Sequence, residues 1–426
     1  MLLAPENHRR LKVLVLDEWI PFPPDSGKRT RTWNLLRRLA QRHDVTLLCY
    51  GDPSGEPFKV VSAEGIEVHT VPPLRKDVGL NFYGRLFLNL FSRYPYSVVK
   101  HSTQRYRERL RQLLRQGHFD LIHCEWTPYA QFLGAAVGLP TLIMAHNIES
   151  QIWNRRAMHA RRTVEHIFCA VQAARMESFE RRMVRQVRLT AAVTEIDARH
   201  IAAWGAPRVS IVENGVDTGF FIPSHGLGDG EKLLFIGALD WFANQDAVEY
   251  LLREILPLVL RHSPGVKLQV VGRKLPEALR KRWACFAGVE LVGEVPDVRP
   301  YLASAAVVVV PLRIGGGSRI KILEALAMKK AVVSTPVGAE GLAVSDGVHL
   351  LVADSPASFA ECTIRLLASP GKRTALGECG RKLVEERYSW DQIALHLESA
   401  WWRTCNPGEN DVVAAQIQAE EVRVGH

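Results

Sequence analysis

The chain has 426 residues, more than one hydrophobic core comfortably serves, so two domains are the first expectation. Hydrophobic residues make up 47% and charged residues 23%, an ordinary globular balance, and no apolar run is long enough to span a bilayer. The net charge of +9 is uneven: residues 1–220 carry 31 Lys and Arg against 21 Asp and Glu, the remainder 23 against 24. No small-residue cleavage pattern follows Met1–Arg10, so no signal peptide is expected. The seven cysteines are scattered without metal-ligand spacing, which suits free thiols in a reducing cytosol.

Leu11–Leu16 is a short continuous apolar run, the pattern of a strand buried on both faces. A Pro/Gly loop follows, then a helix over about 31–42 and a second apolar run at Val45–Tyr50. Further strands are expected at Leu121–Cys124, Thr141–Ala145, Leu189–Val193 and Val209–Val212, with Arg-rich helical stretches between several of them. The rhythm restarts at Lys232, with strands at Leu233–Ile236, Lys267–Val271, Glu290–Val292, Val307–Val310, Ala331–Ser334 and Leu350–Val352. Strands alternating with helices imply parallel sheets covered on both faces. The fold class is therefore α/β, with two Rossmann-like doubly wound parallel-sheet domains facing a central cleft. Residues 1–220 form the N-terminal domain, turn-rich 221–230 the linker and 231–388 the C-terminal domain. A last helix over 389–405 is free to pack back on the N-terminal domain, and 406–426 is a disordered tail.

After Leu16 the loop lacks Gly-x-Gly-x-x-Gly, which counts against a dinucleotide enzyme. Pro23–Arg31 superficially resembles a phosphate-binding P-loop through Gly27-Lys28, but Arg29 follows and no glycine lies five before Gly27. The most informative segment is Val307–Gly341. Here an apolar strand runs into Pro311-Leu312-Arg313, then Gly315-Gly316-Gly317, then a helix opening at Ser318. Three glycines let a ligand approach the backbone, and a helix N-terminus favours an anion. Lys321 and Glu324, three apart, share a helix face near that end. The cation suits a diphosphate and the carboxylate suits paired ribose hydroxyls; the plainer reading is a surface ion pair beside a glycine loop. His146 follows a buried strand at Ala145-His146-Asn147-Ile148-Glu149, where an imidazole sits in a cleft or serves as a structural residue.

The Val307–Gly341 segment resembles the donor-site signature of GT-B-fold glycosyltransferases, specifically the retaining group called family four. Glu324-Ala325-Leu326-Ala327 supplies the second Glu of that signature, and the first falls on Gly316. Asn214-Gly215-Val216-Asp217 and Val295-Pro296-Asp297 extend the resemblance over nearly the whole chain. It implies a nucleotide-sugar donor held mainly by the C-terminal half, an acceptor on the N-terminal half and retention of anomeric configuration. It also implies that His146 contacts the donor sugar or its phosphate and that Gly293-Glu294-Val295 faces the nucleotide base. Gly27 with Lys28 and Arg29 stands where relatives have a Gly-Gly loop touching acceptor and diphosphate. Relatives carry a cationic clamp just after Gly237, but this chain reads Gly237-Ala238-Leu239-Asp240-Trp241. Arg319, Lys321 and Arg273 remain as substitutes, and the sequence does not choose among them.

The expected activity is transfer of a sugar from a nucleotide-sugar to a glycan, lipid-linked or other acceptor, in cell-surface polysaccharide or glycoconjugate synthesis. Loop dipoles and cations would stabilise the departing nucleoside diphosphate. No Asp-x-Asp lies at a strand end, so no metal is expected, and no cofactor, the nucleotide-sugar being a substrate. The alternatives are a nucleotide-sugar epimerase of similar build and a silent sugar-nucleotide-binding protein. The basic stretches Arg75–Arg115 and Arg155–Arg188 suit an anionic membrane surface or a phosphate-bearing acceptor, or are solvated helix faces. No recognition module for nucleic acid accompanies them, so nucleic acid is not an expected partner. A cytoplasmic protein, peripheral at the inner membrane face, is the expectation.

Overall fold

The strands are the apolar runs, buried on both faces as parallel strands must be. In the computed structural model, which describes residues 9–73, 80–135, 138–158, 160, 162–223, 231–314 and 320–406, they assemble into two parallel sheets. The first holds β1 (Lys12–Trp19), β2 (Asp44–Tyr50), β3 (Glu67–Val71), β4 (Leu121–Cys124), β5 (Thr141–Ala145), β6 (Leu189–Ala192) and β7 (Val209–Ile211), in the order 3-2-1-4-5-6-7. The second holds β8 (Lys232–Ile236), β9 (Lys267–Val271), β10 (Val289–Gly293), β11 (Val307–Val310), β12 (Ala331–Ser334) and β13 (Leu351–Val352), in the order 10-9-8-11-12-13.

Both orders reverse direction once, between β1 and β4 in the first sheet and between β8 and β11 in the second. Such switch points leave a crevice outside the carboxyl ends of the strands, the usual ligand position in this architecture. The chemistry of each unit is therefore sought after Leu16 and Cys124, and after Ile236 and Val310.

The chain divides into two units, Met1–Glu213 with Asp391–His426, and Asn214–Trp390. The division precedes the 221–230 stretch read as a linker. Asn214–Phe221 is committed to the second unit instead: Val216 N–H donates to the Tyr388 carbonyl at 2.8 Å, and Val216 and Phe221 lie in that unit's core. Gly215 is pressed on the Trp390 indole, which a Cβ there would meet at 2.7 Å. Residues 224–230 and the tail from 407 lie outside the described residues.

The Trp390–Cys405 helix, from Asp391 onward, belongs to the first unit. Arg38 donates to Asp391 at 2.7 Å, His43 meets Glu398 at 2.8 Å, and the Trp401 indole is fully buried beside His123. The helix that the apolar residues of 31–42 announce runs over Gly27–Leu39. β3 is the strand that the apolar runs do not reveal. It is an edge strand, with polar Glu67, His69 and Thr70 at three of its five positions.

Candidate active site

In the first unit, the ends of β1, β4 and β5 bring Asp17, Glu18, Glu125 and His146 into one buried, charged cluster with residues of the Gly27–Leu39 helix. Asp17 is buried at the end of β1 and pairs with Lys28, whose ammonium also lies 3.9 Å from Glu18 and 4.9 Å from the centre of the Trp126 ring. Burial works against the Lys28 charge, but Asp17 and Glu18 outweigh it and hold the ammonium protonated. Against burial, His101 at 3.1 Å and Lys28 keep Glu18 down at about 2. Arg29 is committed to Asp25 at 3.1 Å, and Gly27 opens the helix after Ser26. Lys28 thus faces inward, serving the cluster rather than solvent.

Glu125 is the centre of this cluster. Its Oε1 accepts from Thr32 Oγ1 at 2.8 Å and lies 3.2 Å from His146 Nε2, while Oε2 lies 2.9 Å from His123 Nε2. Burial opposes ionisation, yet the two imidazoles keep Glu125 well below the usual carboxylate range. Burial also pushes His146 below the ordinary imidazole value, partly offset by Glu125. Arg31, fully buried, donates to the carbonyls of Val212 (2.7 Å) and Glu213, and burial pulls it to about 10. Next along the chain, Glu149 accepts from the Trp126 indole at 2.9 Å. The N–H groups of Glu149 and Ser150 donate to Glu180 at 2.8 and 3.1 Å, so a carboxyl raised by burial to about 8 caps the Glu149–Met158 helix.

In the second unit, the ends of β8, β9 and β10 are drawn together through their glycines. Gly272 N–H donates to the Gly293 carbonyl at 2.8 Å, and Gly237 N–H to the Val271 carbonyl at 3.0 Å. A Cβ on Gly272 would overlap the Gly237 carbonyl, and Gly293 has φ +86, so both positions need glycine. Arg273 follows this junction, and its carbonyl accepts from Leu239 N–H at 2.9 Å. Glu294 is exposed beyond β10, and Val295 packs at the edge of the core.

Lys321 and Glu324 lie on the Ile320–Ala327 helix after β11. Lys321 Nζ donates to Asn244 Oδ1 at 2.8 Å and lies 4.8 Å from the centre of the Phe235 ring. Asn244 in turn donates to the Ala238 carbonyl at 2.8 Å. Lys321 therefore reaches from the β11 side of the switch point to the loop after β8, where the clamp cations are absent. The partly buried carboxyl of Glu324 makes no hydrogen bond or ion pair with a described residue, and burial raises it to about 7 against the pull of Lys321. Arg313 is instead spent on Asp246 at 2.6 Å. Gly315, Gly316, Gly317, Ser318 and Arg319 lie outside the described residues.

The structure thus joins Gly237, Arg273 and Gly293 at one row of strand ends, with Lys321 tied to the same loop through Asn244. Asp17, His123, Glu125 and Asn244 escaped the sequence reading. An acidic residue directly after a buried strand was the available signal for Asp17 and Glu125; nothing local marks His123 or Asn244. Among the described residues, no group of three or more His, Cys, Asp or Glu is arranged to hold a metal ion.

Two doubly wound sheets, each with its crevice at a switch point, define the GT-B class of α/β architecture. Residues 26–220 match the family model described as Glycosyltransferase Family 4, and residues 230–369 the model described as Glycosyl transferases group 1. The chain belongs to the group 1 glycosyltransferases of the GT-B fold. It is 23% identical over 402 residues to an alpha-maltose-1-phosphate synthase of Mycolicibacterium smegmatis, covering 88% of this chain and 95% of the relative. It is 25% identical over 311 residues to an MMP alpha-(1->4)-mannosyltransferase of Mycolicibacterium hassiacum, covering 67% and 71%. Other bacterial relatives match over as little as 40% of their length. Among solved structures, a HepE protein of Anabaena in complex with UDP-glucose superposes with a TM-score of 0.64 at 14% identity, over 92% of this chain and 99% of that one. The protein is a glycosyltransferase.

Proposed function

We propose that the protein transfers a sugar from a nucleoside-diphosphate sugar to a glycan or lipid-linked acceptor, with retention, in the synthesis of a surface polysaccharide or glycoconjugate. The observation that carries the donor assignment is the pair at the second unit's switch point: Lys321 bridged to Asn244, and beside it the uncommitted carboxyl of Glu324. A carboxylate with free lone pairs accepts from two neighbouring hydroxyls, as a ribose or sugar ring offers them. In transfer, the bond from the anomeric carbon to the diphosphate oxygen breaks and one to the acceptor oxygen forms. The acceptor's hydroxyl proton leaves to the departing diphosphate or to water. Charge grows on the diphosphate, where Lys321, Arg273 and the Gly315–Arg319 loop are assigned to stabilise it without a metal. His146 and the Gly27–Arg29 loop are assigned to the donor's and acceptor's approach on the first unit. That relatives bind UDP or UDP-glucose supports a nucleotide donor. Equilibrium titration with nucleoside diphosphates tests this: saturable binding that Glu324→Gln weakens at least tenfold is expected, and equal binding by both proteins contradicts it.

Peripheral attachment to an anionic membrane belongs to the same reading. The structure adds an apolar component to the basic charge: Phe87, Leu88, Leu90 and Phe91 are exposed, Phe91 to 78%, beside Arg93, Arg175 and Arg182. No helix among the described residues is long and apolar enough to cross a membrane. Cations near an anionic surface contribute about 1 kcal/mol each, and apolar side chains add a part that salt does not screen. Co-sedimentation with anionic vesicles that salt weakens and Phe91→Ser reduces further is expected. Equal binding to neutral vesicles, or none at low salt, contradicts the membrane assignment.

A further inference from the structure

Trp401 lies on the C-terminal helix, and an indole N–H only donates. It donates to Nδ1 of His123 at 3.1 Å, so that nitrogen carries no proton and His123 is the neutral Nε2–H tautomer. Nε2 of His123 lies 2.9 Å from Oε2 of Glu125, and Thr32 supplies a hydroxyl to Oε1 at 2.8 Å. His146 presents Nε2 to the same residue twice, at 2.7 Å from the backbone carbonyl and 3.2 Å from Oε1. A carbonyl only accepts, so the proton of His146 also sits on Nε2. Nδ1 of His146 keeps its lone pair and has no hydrogen-bond partner among the described residues.

We infer that Glu125, backed by His123, Thr32 and Trp401, is the positioning carboxylate of His146, holding it in the Nε2–H form so that Nδ1 is offered as an acceptor. The inference rests on the reading of His146 as substrate-facing. A carboxylate that orients an imidazole and sets its tautomer is a general device for preparing a histidine. The groups that face His146 are Glu125 and, on the Gly27–Leu39 helix, Arg31 and Lys28. Burial and the two cations oppose an imidazolium, and Glu125 favours it. A neutral imidazole with a free lone pair at Nδ1 accepts from a hydroxyl and repels a phosphate oxygen. The group it meets is therefore an O–H of the sugar or acceptor, not the diphosphate. The C-terminal helix, remote in sequence, serves the site through Trp401.

The test reads tautomers directly by two-bond proton–nitrogen correlation on the full-length protein labelled with ¹⁵N-histidine, with His146→Gln assigning the resonance. The expected result is a proton on Nε2 of His146 at neutral pH and a titration midpoint below the ordinary imidazole value. Glu125→Gln removes the anion and should bring that midpoint about one pH unit or more lower. Trp401→Phe keeps a ring but loses the donor. It should let a Nδ1–H form of His123 appear and, by taking one donor from Glu125, leave more of the anion to His146 and move its midpoint upward, covering the case in which E125Q does not fold. A proton on Nδ1 of His146 in the unaltered protein, or a midpoint unmoved in both variants, overturns the inference. Full transfer activity in H146Q would instead overturn the substrate-facing reading while leaving the tautomer result standing.

Discussion

Glu324→Gln should make the protein more stable and less active, with a pH signature that separates the two effects. Burial raises the Glu324 carboxyl from its ordinary value of 4.5 to about 7. The folded state therefore binds this proton more tightly than the unfolded chain does. Stability is lost as pH rises from the unfolded value through about 7, because the unfolded chain releases the proton first. At pH 8 the ionised group costs at most about 3.5 kcal/mol, taking roughly 1.4 kcal/mol per pH unit. Glutamine keeps the shape and removes the charge, so that cost disappears. For a domain of this size each kcal/mol moves the melting temperature by roughly 2–4 °C. E324Q should thus melt several degrees higher at pH 8 and show little difference at pH 4.5. Donor binding, which needs the acceptor lone pairs, should fall by about tenfold or more at pH 8. Differential scanning fluorimetry across pH, paired with donor titration, reads both. A melting difference independent of pH, or a loss of stability at pH 8, would show that burial of the Glu324 charge does not cost the fold stability.

Lys321→Ala should lower transfer roughly 30- to 1,000-fold, since a charged hydrogen bond in a desolvated site is worth about 2–4 kcal/mol; near-normal steady-state rates in the purified variant would show the donor pair to be misassigned. Lys28→Met leaves Asp17 buried without its partner and should cost about 3 kcal/mol, which a denaturant midpoint would register. That loss should be smaller at acid pH, where Asp17, already raised by burial, takes up a proton; an equal loss at pH 4 and pH 8 would show that the pair does not govern it.

The fold was legible because parallel strands buried on both faces are written as continuous apolar runs, such as Val307–Val310 and Ala331–Ser334. β3 carries no such run, since an edge strand leaves one side to polar residues. The turn-rich composition of 221–230 drew the boundary too late, because Asn214–Phe221, although it reads as a loop, is held by backbone bonds and core contacts of the second unit. Lys321 and Glu324 were readable from their spacing on one helix. The tie from Lys321 to Asn244 spans 77 residues, and that from Trp401 to His123 spans 278. Such pairs arise only when the sheet order brings separate strand ends together, so no local pattern announces them.

Transfer of a sugar from a nucleotide donor without a metal ion is the proposed activity. The most direct measurement is mass spectrometry of products from a panel of nucleotide-sugars offered with glycan and lipid-linked acceptors, each in the presence and absence of excess EDTA. The expected result is an acceptor heavier by one sugar, equimolar release of the nucleoside diphosphate, and the same yield with the chelator. A donor converted without any acceptor, which an epimerase would show, or transfer abolished by EDTA and restored by Mg²⁺ or Mn²⁺, would contradict it.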